Sequence, residues 1–275
     1  MSEEIKNITK YPKSSFYWGM KILDREKRNA MFVIYAFCKE IDNIGDSHTQ
    51  IRKKKRELED WKKEIDEIYK NKTKKKLGKL LNNCIKKYKL KKNLFLEIIK
   101  GIEMDINNKM IAPKQKNLNI YCYRVAGAVG LLCLNIFHEN NKNARSFGIA
   151  LANALQITNI LRDIKEDSSM GRLYMPNEIL KKVGIKEKNI HDIIKSKKFP
   201  NACKELAKLA DTNFQVAEKK LKNCSKKRLK SAILMMNTYK LLLKKLKNAA
   251  WKNIEEKIHL TKFEKITLFL KVFYE

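Results

Sequence analysis

The stretch A-L-Q-I-T-N-I-L-R-D-I-K-E-D-S-S-M-G-R-L-Y-M-P, residues 154–176, sets Gln156 and Asn159 inside an otherwise apolar run and then presents Asp163 and Asp167. At about 100° per residue, offsets of 0, 3, 7 and 11 place these four side chains on one narrow stripe of a helix. Ala150 to Leu161 is nearly uncharged, so the stripe enters a core, where each amide lacking a partner costs about 1–3 kcal/mol. Such a helix needs other helices around it, and its polar ridge needs a ligand or a network.

A second D-x-x-x-D occurs at Asp42 and Asp46, on a helix expected over 24–46 with Asp24 as N-cap. Tyr35, Lys39, Asp42 and Asp46 fall within an arc of about 60°. Carboxylates four residues apart repel by about 0.2–0.5 kcal/mol, so something compensates. Lys39 and Lys165 are the simple answer; Mg²⁺ is the chemically richer one, because it takes hard oxygen ligands from one or two carboxylates and completes its shell with water and substrate phosphates. Two facing acid pairs can grip a diphosphate through such ions above a dry, apolar pocket.

The rest of the chain agrees with an all-α fold. Of 275 residues 44% are hydrophobic, with 9 Gly and 4 Pro to interrupt helices. Leu58, Trp61, Ile65 and Ile68 keep a helical rhythm within Lys and Glu, residues 93–105 repeat it, and Pro113 marks a break. Residues 119–137 and 143–167 are expected to be central helices, with Gly127 and Gly130 allowing close backbone approach or a kink. Residues 171–184 read as a loop with a short helix, and 200–222 and 228–250 as amphipathic helices. No linker composition or repeat appears, so one domain over 1–275 is expected.

The net charge of +31 raises nucleic acid as a partner. The excess, however, consists of 52 Lys against 9 Arg, beside 25 Asn, and no recognition motif accompanies it. That is a solvated lysine surface rather than an array of Arg forks, and nucleic acid is not an expected partner. The six cysteines lack C-x-x-C spacing and read as buried free thiols of a reducing compartment. The N-terminus has no apolar h-region, and Val125–Phe137 is too short an apolar run to span a bilayer. A cytoplasmic location is expected, with peripheral contact to the inner membrane as a candidate through residues 261–275; a helix packed on the core is the competing reading of that tail. His48, His138, His191 and His259 show no ligand spacing.

Four segments together carry a family resemblance: S-S-F-Y-W-G-M (14–20), R-N-A-M-F-V-I-Y-A-F-C-K-E-I-D-N-I-G-D (28–46), Y-C-Y-R-V-A-G-A-V-G (121–130) and the 154–176 stretch. In content, order and spacing they resemble the squalene/phytoene synthase family over nearly the whole chain. F-Y-W-G-M, G-R-L-Y-M-P and W-K-N-I-E-E-K-I-H-L-T-K-F-E-K are most similar to its bacterial presqualene diphosphate synthases of hopanoid pathways.

The resemblance implies an isoprenoid-synthase-type helical bundle around a central apolar cavity. It also implies a prenyltransferase joining two prenyl diphosphates head to head. One substrate loses diphosphate to give an allylic cation, the double bond of the other attacks it, and proton loss closes a cyclopropane. By motif position Asp42, Asp46, Asp163 and Asp167 hold Mg²⁺. Gln156 and Asn159 line the same ridge, while Lys39, Arg162 and Arg172 serve the diphosphate. Ser15 and Phe16 match the start motif that closes over the substrate phosphate. Tyr121 matches the tyrosine credited with stabilising the cation or assisting proton removal, and Tyr35 lies on the first stripe.

This chain departs from the family at Lys39, where Arg is general, at Asn43, which replaces a second acid, and at Gly45, where a better helix former is common. Farnesyl diphosphate, giving presqualene diphosphate or onward squalene, is the expected substrate. Phytoene synthesis from geranylgeranyl diphosphate and a non-catalytic assembly factor of the same fold are the alternatives. Downstream terpenoid-pathway enzymes are candidate partners.

Overall fold

The computed structural model describes residues 19–274; Ser15 and Phe16 lie outside the described residues. The elements are α1 (Arg25–Asp46), α2 (Ile51–Tyr69), α3 (Lys76–Tyr88), α4 (Lys92–Ile106), α5 (Gln115–Cys122), a π-helical turn (Tyr123–Gly127), α6 (Ala128–Ile136), α7 (Lys142–Arg162), α8 (Ile164–Ser169), α9 (Asn177–Lys182), α10 (Ile190–Lys195), α11 (Phe199–Leu221), α12 (Lys230–Ala249) and α13 (Lys262–Tyr274). Among the described residues, pairing of β type is confined to an isolated parallel bridge between Ile111 and Leu173.

Helix α1 begins where the sequence places it, with the Asp24 side chain accepting from Lys27 N at 2.9 Å. Its residues Ala30 to Ile34 are all buried, so helices surround it. Phe37 is fully buried and meets the rings of Trp61 and Phe95 edge-on at 5.5 and 5.3 Å, locking α1 to α2 and α4. In α2 the buried residues are Leu58, Trp61, Ile65 and Ile68, and the lysines between them face water.

The segment 115–136 is one continuous helical rod of 22 residues, and on length and apolarity alone it could cross a bilayer. Here it packs against α1, α4 and α7. A π-helical turn interrupts it over Tyr123–Gly127, ending at one of the two glycines expected to allow close approach or a kink. Gly130 permits the close crossing with α7: a Cβ there would sit 3.1 Å from Gly148 O, and one on Gly148 would sit 2.7 Å from Leu134 Cδ1.

Helix α7, capped by Asn141 on Ala144 N at 2.9 Å, is buried on several sides and makes its most extensive contact with α11. The expected helix over 143–167 is broken at Asp163, whose φ of −103° and ψ of 18° separate α7 from α8. The physical reason lies 90 residues downstream: Trp251 Nε1 donates to Leu161 O at 2.9 Å, occupying a carbonyl that a regular helix would offer to its own next turn. Ala250 and Trp251 adopt left-handed φ values of 52° and 51° to make that reach.

All six cysteines are free, but they are not uniformly buried: Cys84, Cys122 and Cys203 are, while Cys38, Cys133 and Cys224 are partly exposed. Two of the latter face an internal cavity described below. The tail 261–275 takes the core-packed one of its two readings. Helix α13 packs on α12, with Val272 buried and Lys245 donating to both Glu264 oxygens at 2.9 and 3.0 Å, yet Phe263 is 79% exposed and Ile266 and Leu270 are also exposed.

Candidate active site

A cavity of about 250 Å³ lies between α1, the π-turn and α6, α7 and α12. Its wall from α1 is Met31, Ile34, Tyr35 and Cys38, the i, i+3, i+4, i+7 face of a helix. On α7 the lining runs from Phe147 to Gln156 and Asn159. Met31 lies eleven residues before Asp42, about 16 Å along the helix axis. The cavity is therefore apolar at its far end, around Met31, Phe137 and Phe147, and polar where the two acidic stripes begin.

At the polar end the stripes meet. Arg172 Nη1 donates to Asp46 Oδ1 at 2.8 Å and Nη2 to Gly45 O at 3.0 Å, joining the residues after the second motif to the first. Gly171, with a φ of 74°, turns the chain so that Arg172 can do this. Lys39 Nζ lies 3.3 Å from Asp42 Oδ2, the internal compensation its spacing suggests. Burial and then the neighbouring Asp46 push the Asp42 carboxyl up, against the pull of Lys39.

In the second motif the two aspartates differ. Asp163 accepts a fork from Arg162, Nε at 2.8 Å and Nη2 at 2.6 Å, and Lys257 Nζ at 2.9 Å. Burial alone would raise its pKa, but Arg162 and Lys257 together hold it below the ordinary value. Asp167 has no such pairing: burial, then the charge of Asp163, push it up to about 8, and it also feels Asp105 and Asp46. Arg172 N also donates to Asp167 O at 2.9 Å, so one residue ties the second stripe to the first.

Asn159 Oδ1 is a buried acceptor with no partner among the described residues. It is a hard-oxygen donor of the kind a divalent cation takes, as are the four carboxylates. Among the described residues no group of three or more His, Cys, Asp or Glu side chains is placed to hold a metal ion.

The expected site residues divide into groups. Asp42, Asp46, Lys39, Asp163, Asp167, Arg162, Arg172, Gln156 and Asn159 gather at the polar end, and Tyr35 lines the cavity wall. Tyr121 is set apart from that wall, buried and hydrogen-bonded to Asp105 and Tyr174. Arg162 pairs with Asp163 and Arg172 with Asp46, whereas Glu166 pairs with Lys257.

Four residues with roles here escaped the sequence reading: Asp105, Tyr174, Lys257 and Tyr239, the last engaged by Arg162 and Asn159. One carried a signal. Asp105 continues the buried face of Ile98, Ile99 and Ile102 on α4, where an acid is out of place. The departure at Gly45 also gains a cause, since a Cβ there would sit 2.7 Å from Ile102 Cγ2.

Residues 9–264 match the family model for squalene/phytoene synthase. A presqualene diphosphate synthase of Sinorhizobium fredii is 36% identical over 231 residues, covering 84% of this chain and 82% of the relative. One from Rhodopseudomonas palustris is 34% identical over 258 residues, covering 94% and 92%. Among solved structures, a dehydrosqualene synthase in complex with ligand superposes with a TM-score of 0.82 over 99% of this chain and 97% of its own, at 21% identity, so the likeness of fold outlasts that of sequence. On this match, together with two acid stripes meeting over an apolar cavity, the chain belongs to the squalene/phytoene synthase family of prenyltransferases.

Proposed function

We propose that the protein condenses two farnesyl diphosphates head to head into presqualene diphosphate, with Mg²⁺ held by Asp42, Asp46, Asp163 and Asp167. The observation that carries this reading is the convergence of the two acid pairs, bridged by Arg172 at 2.8 Å from Asp46, at the open end of an apolar cavity.

The bound ions supply charge neutralisation of the diphosphate leaving group. The chain supplies the rest. Arg172, Arg162 and Lys39 bring cationic charge to the same end, where they orient phosphate oxygens and offset the acids when no substrate is present. Asn159 presents an unused oxygen and Gln156 a polar edge at the boundary between phosphate and hydrocarbon. Met31, Ile34, Leu151 and Leu155 exclude water from the cation formed once diphosphate departs. The far end, closed by Met31, Phe137 and Phe147, favours the farnesyl chain over the longer geranylgeranyl chain.

Incubation of purified protein with Mg²⁺ and each labelled diphosphate tests the assignment. The expected result is presqualene diphosphate from farnesyl diphosphate, lost on Asp42→Ala or Asp163→Ala. Turnover of geranylgeranyl diphosphate alone would make the protein a phytoene-type enzyme, and turnover that survives both substitutions would overturn the metal site.

A further inference from the structure

The basic run R-K-K-K-R, residues 52–56 near the start of α2, is a solvated face with one exception. Arg52, Lys53, Lys55 and Arg56 are exposed, while Lys54 is half-buried. It stands one turn before Leu58, the first buried residue of α2, and so on the side of the helix that turns inward. Its ammonium donates to a main-chain oxygen of α1, Gly45 O, at 2.8 Å. Withdrawing a lysine head from water is costly, and a neutral carbonyl repays only part of that cost.

The reason for the placement lies at the end of α1. A helix leaves its last carbonyls without partners, and its dipole is negative there. In α1 the same end carries Asp42 and Asp46, and no basic residue stands in its last turn. Ser47 takes two of the carbonyls, Asn43 O through its backbone N–H at 3.0 Å and Ile44 O through its hydroxyl at 2.9 Å. Gly45 O is taken by two cations from elsewhere in the chain, Lys54 at 2.8 Å and Arg172 Nη2 at 3.0 Å. A carbonyl oxygen has two lone pairs, and here both are used.

Gly45 is also the loosest link of that turn. Glycine is a weak helix former, and a stiffening Cβ is ruled out because it would sit 2.7 Å from Ile102 Cγ2. Asp46 follows directly and is bonded to the same Arg172. Whatever holds the Gly45 carbonyl therefore sets the direction of Asp46. Arg172 holds it from the second stripe. Lys54 holds it from α2, a helix that contributes none of the cavity lining.

Resting on the function proposed above, we propose that Lys54 is a positioning residue: by holding Gly45 O it keeps the last turn of α1 closed and Asp46 aimed at the metal-bound diphosphate, which leaves Arg172 free to serve a phosphate oxygen. Lys54 touches neither substrate nor metal in this role. It acts through one carbonyl.

Two measurements on the full chain test this: steady-state kinetics with Mg²⁺ and farnesyl diphosphate, and calorimetric titration of inorganic diphosphate in the presence of Mg²⁺, which reads binding without turnover. Lys54→Met keeps the aliphatic stem and removes the donor. It is expected to raise KM and to weaken diphosphate binding about fivefold, the worth of one hydrogen bond of ordinary strength, with kcat unchanged. Lys54→Arg, which restores a cationic donor, should recover most of the loss. Lys55→Met, which removes the same charge from the exposed side of α2, should change neither quantity. Combined with Arg172→Lys, the loss should exceed the product of the two single losses, because each cation covers the carbonyl when the other is gone. Lys54→Ala serves if Lys54→Met does not fold, and should show the same rise in KM. A Lys54→Met protein with a lowered Tm but unchanged KM and diphosphate affinity makes the lysine merely structural and overturns the proposal, as does an equal effect from Lys55→Met. A wild-type protein that neither turns over prenyl diphosphate nor binds diphosphate with Mg²⁺ overturns the underlying function instead.

Discussion

Arg172 and Asp46, 126 residues apart in the chain, are joined at 2.8 Å, and the same guanidinium holds Gly45 O at 3.0 Å. One side chain thus fixes the spacing between two acidic stripes. Arg172→Lys keeps the charge but cannot span both acceptors. Catalytic efficiency is expected to fall about tenfold, equivalent to ~1.4 kcal/mol, through a higher KM for the diphosphate. Unchanged KM would show that the bridge is dispensable.

Asp167 gives a pH signature. The folded protein releases its proton at about 8 and the unfolded chain at the ordinary 3.8. Between those values the folded state binds the extra proton, so metal-free stability falls as pH rises from about 4 to 8. Asp167→Asn removes this contribution and should raise Tm at pH 8, with little change at pH 4. Thermal melts of both proteins across that range check it; a substitution that lowers Tm at pH 8 contradicts it.

Gly45→Ala places a methyl 2.7 Å from Ile102 Cγ2. Overpacking of this kind costs about 1–3 kcal/mol. Ile102→Ala opens the space, so the double variant should be more stable than the sum of the two single losses, as denaturant midpoints would reveal. Strict additivity would mean the contact is not the cause.

Phe263, Ile266 and Leu270 form an exposed apolar stripe on α13, with Lys262 and Lys271 exposed beside it. On a chain of net charge +31 this stripe suits the surface of an anionic bilayer. Flotation with vesicles containing anionic lipid should recover more protein than with neutral vesicles, and Phe263→Glu with Ile266→Glu should abolish the difference. Equal partitioning of the wild type to both kinds of vesicle would remove the electrostatic part.

The helices and both acid stripes were legible in the sequence because each rests on local spacing: Asp24 caps α1, Leu58, Trp61, Ile65 and Ile68 are the buried face of α2, and Lys39 reaches Asp42 one turn away. Contacts between distant segments were not. Asp105 and Tyr174 are 69 residues apart, and Lys165 meets Glu255 across 90; no periodicity brings such pairs together. The break at Asp163 was hidden for the same reason, since residues 154–167 on their own favour a continuous helix. The fold class and the family came from pattern and resemblance, while the tyrosine cluster required coordinates.

The hold of Trp251 on Leu161 O gives the last quarter of the chain authority over the centre. A fragment ending inside α12 would retain all four motif aspartates, yet it would lack the clasp that goes with the break in the backbone at Asp163. Asp163 and Asp167 would then continue the helical path of α7 unbroken, with both carboxylates present but differently aimed. Tags or fusions that disturb the turn at Ala250 and Trp251 act on the aim of Asp163 and Asp167 from a distance.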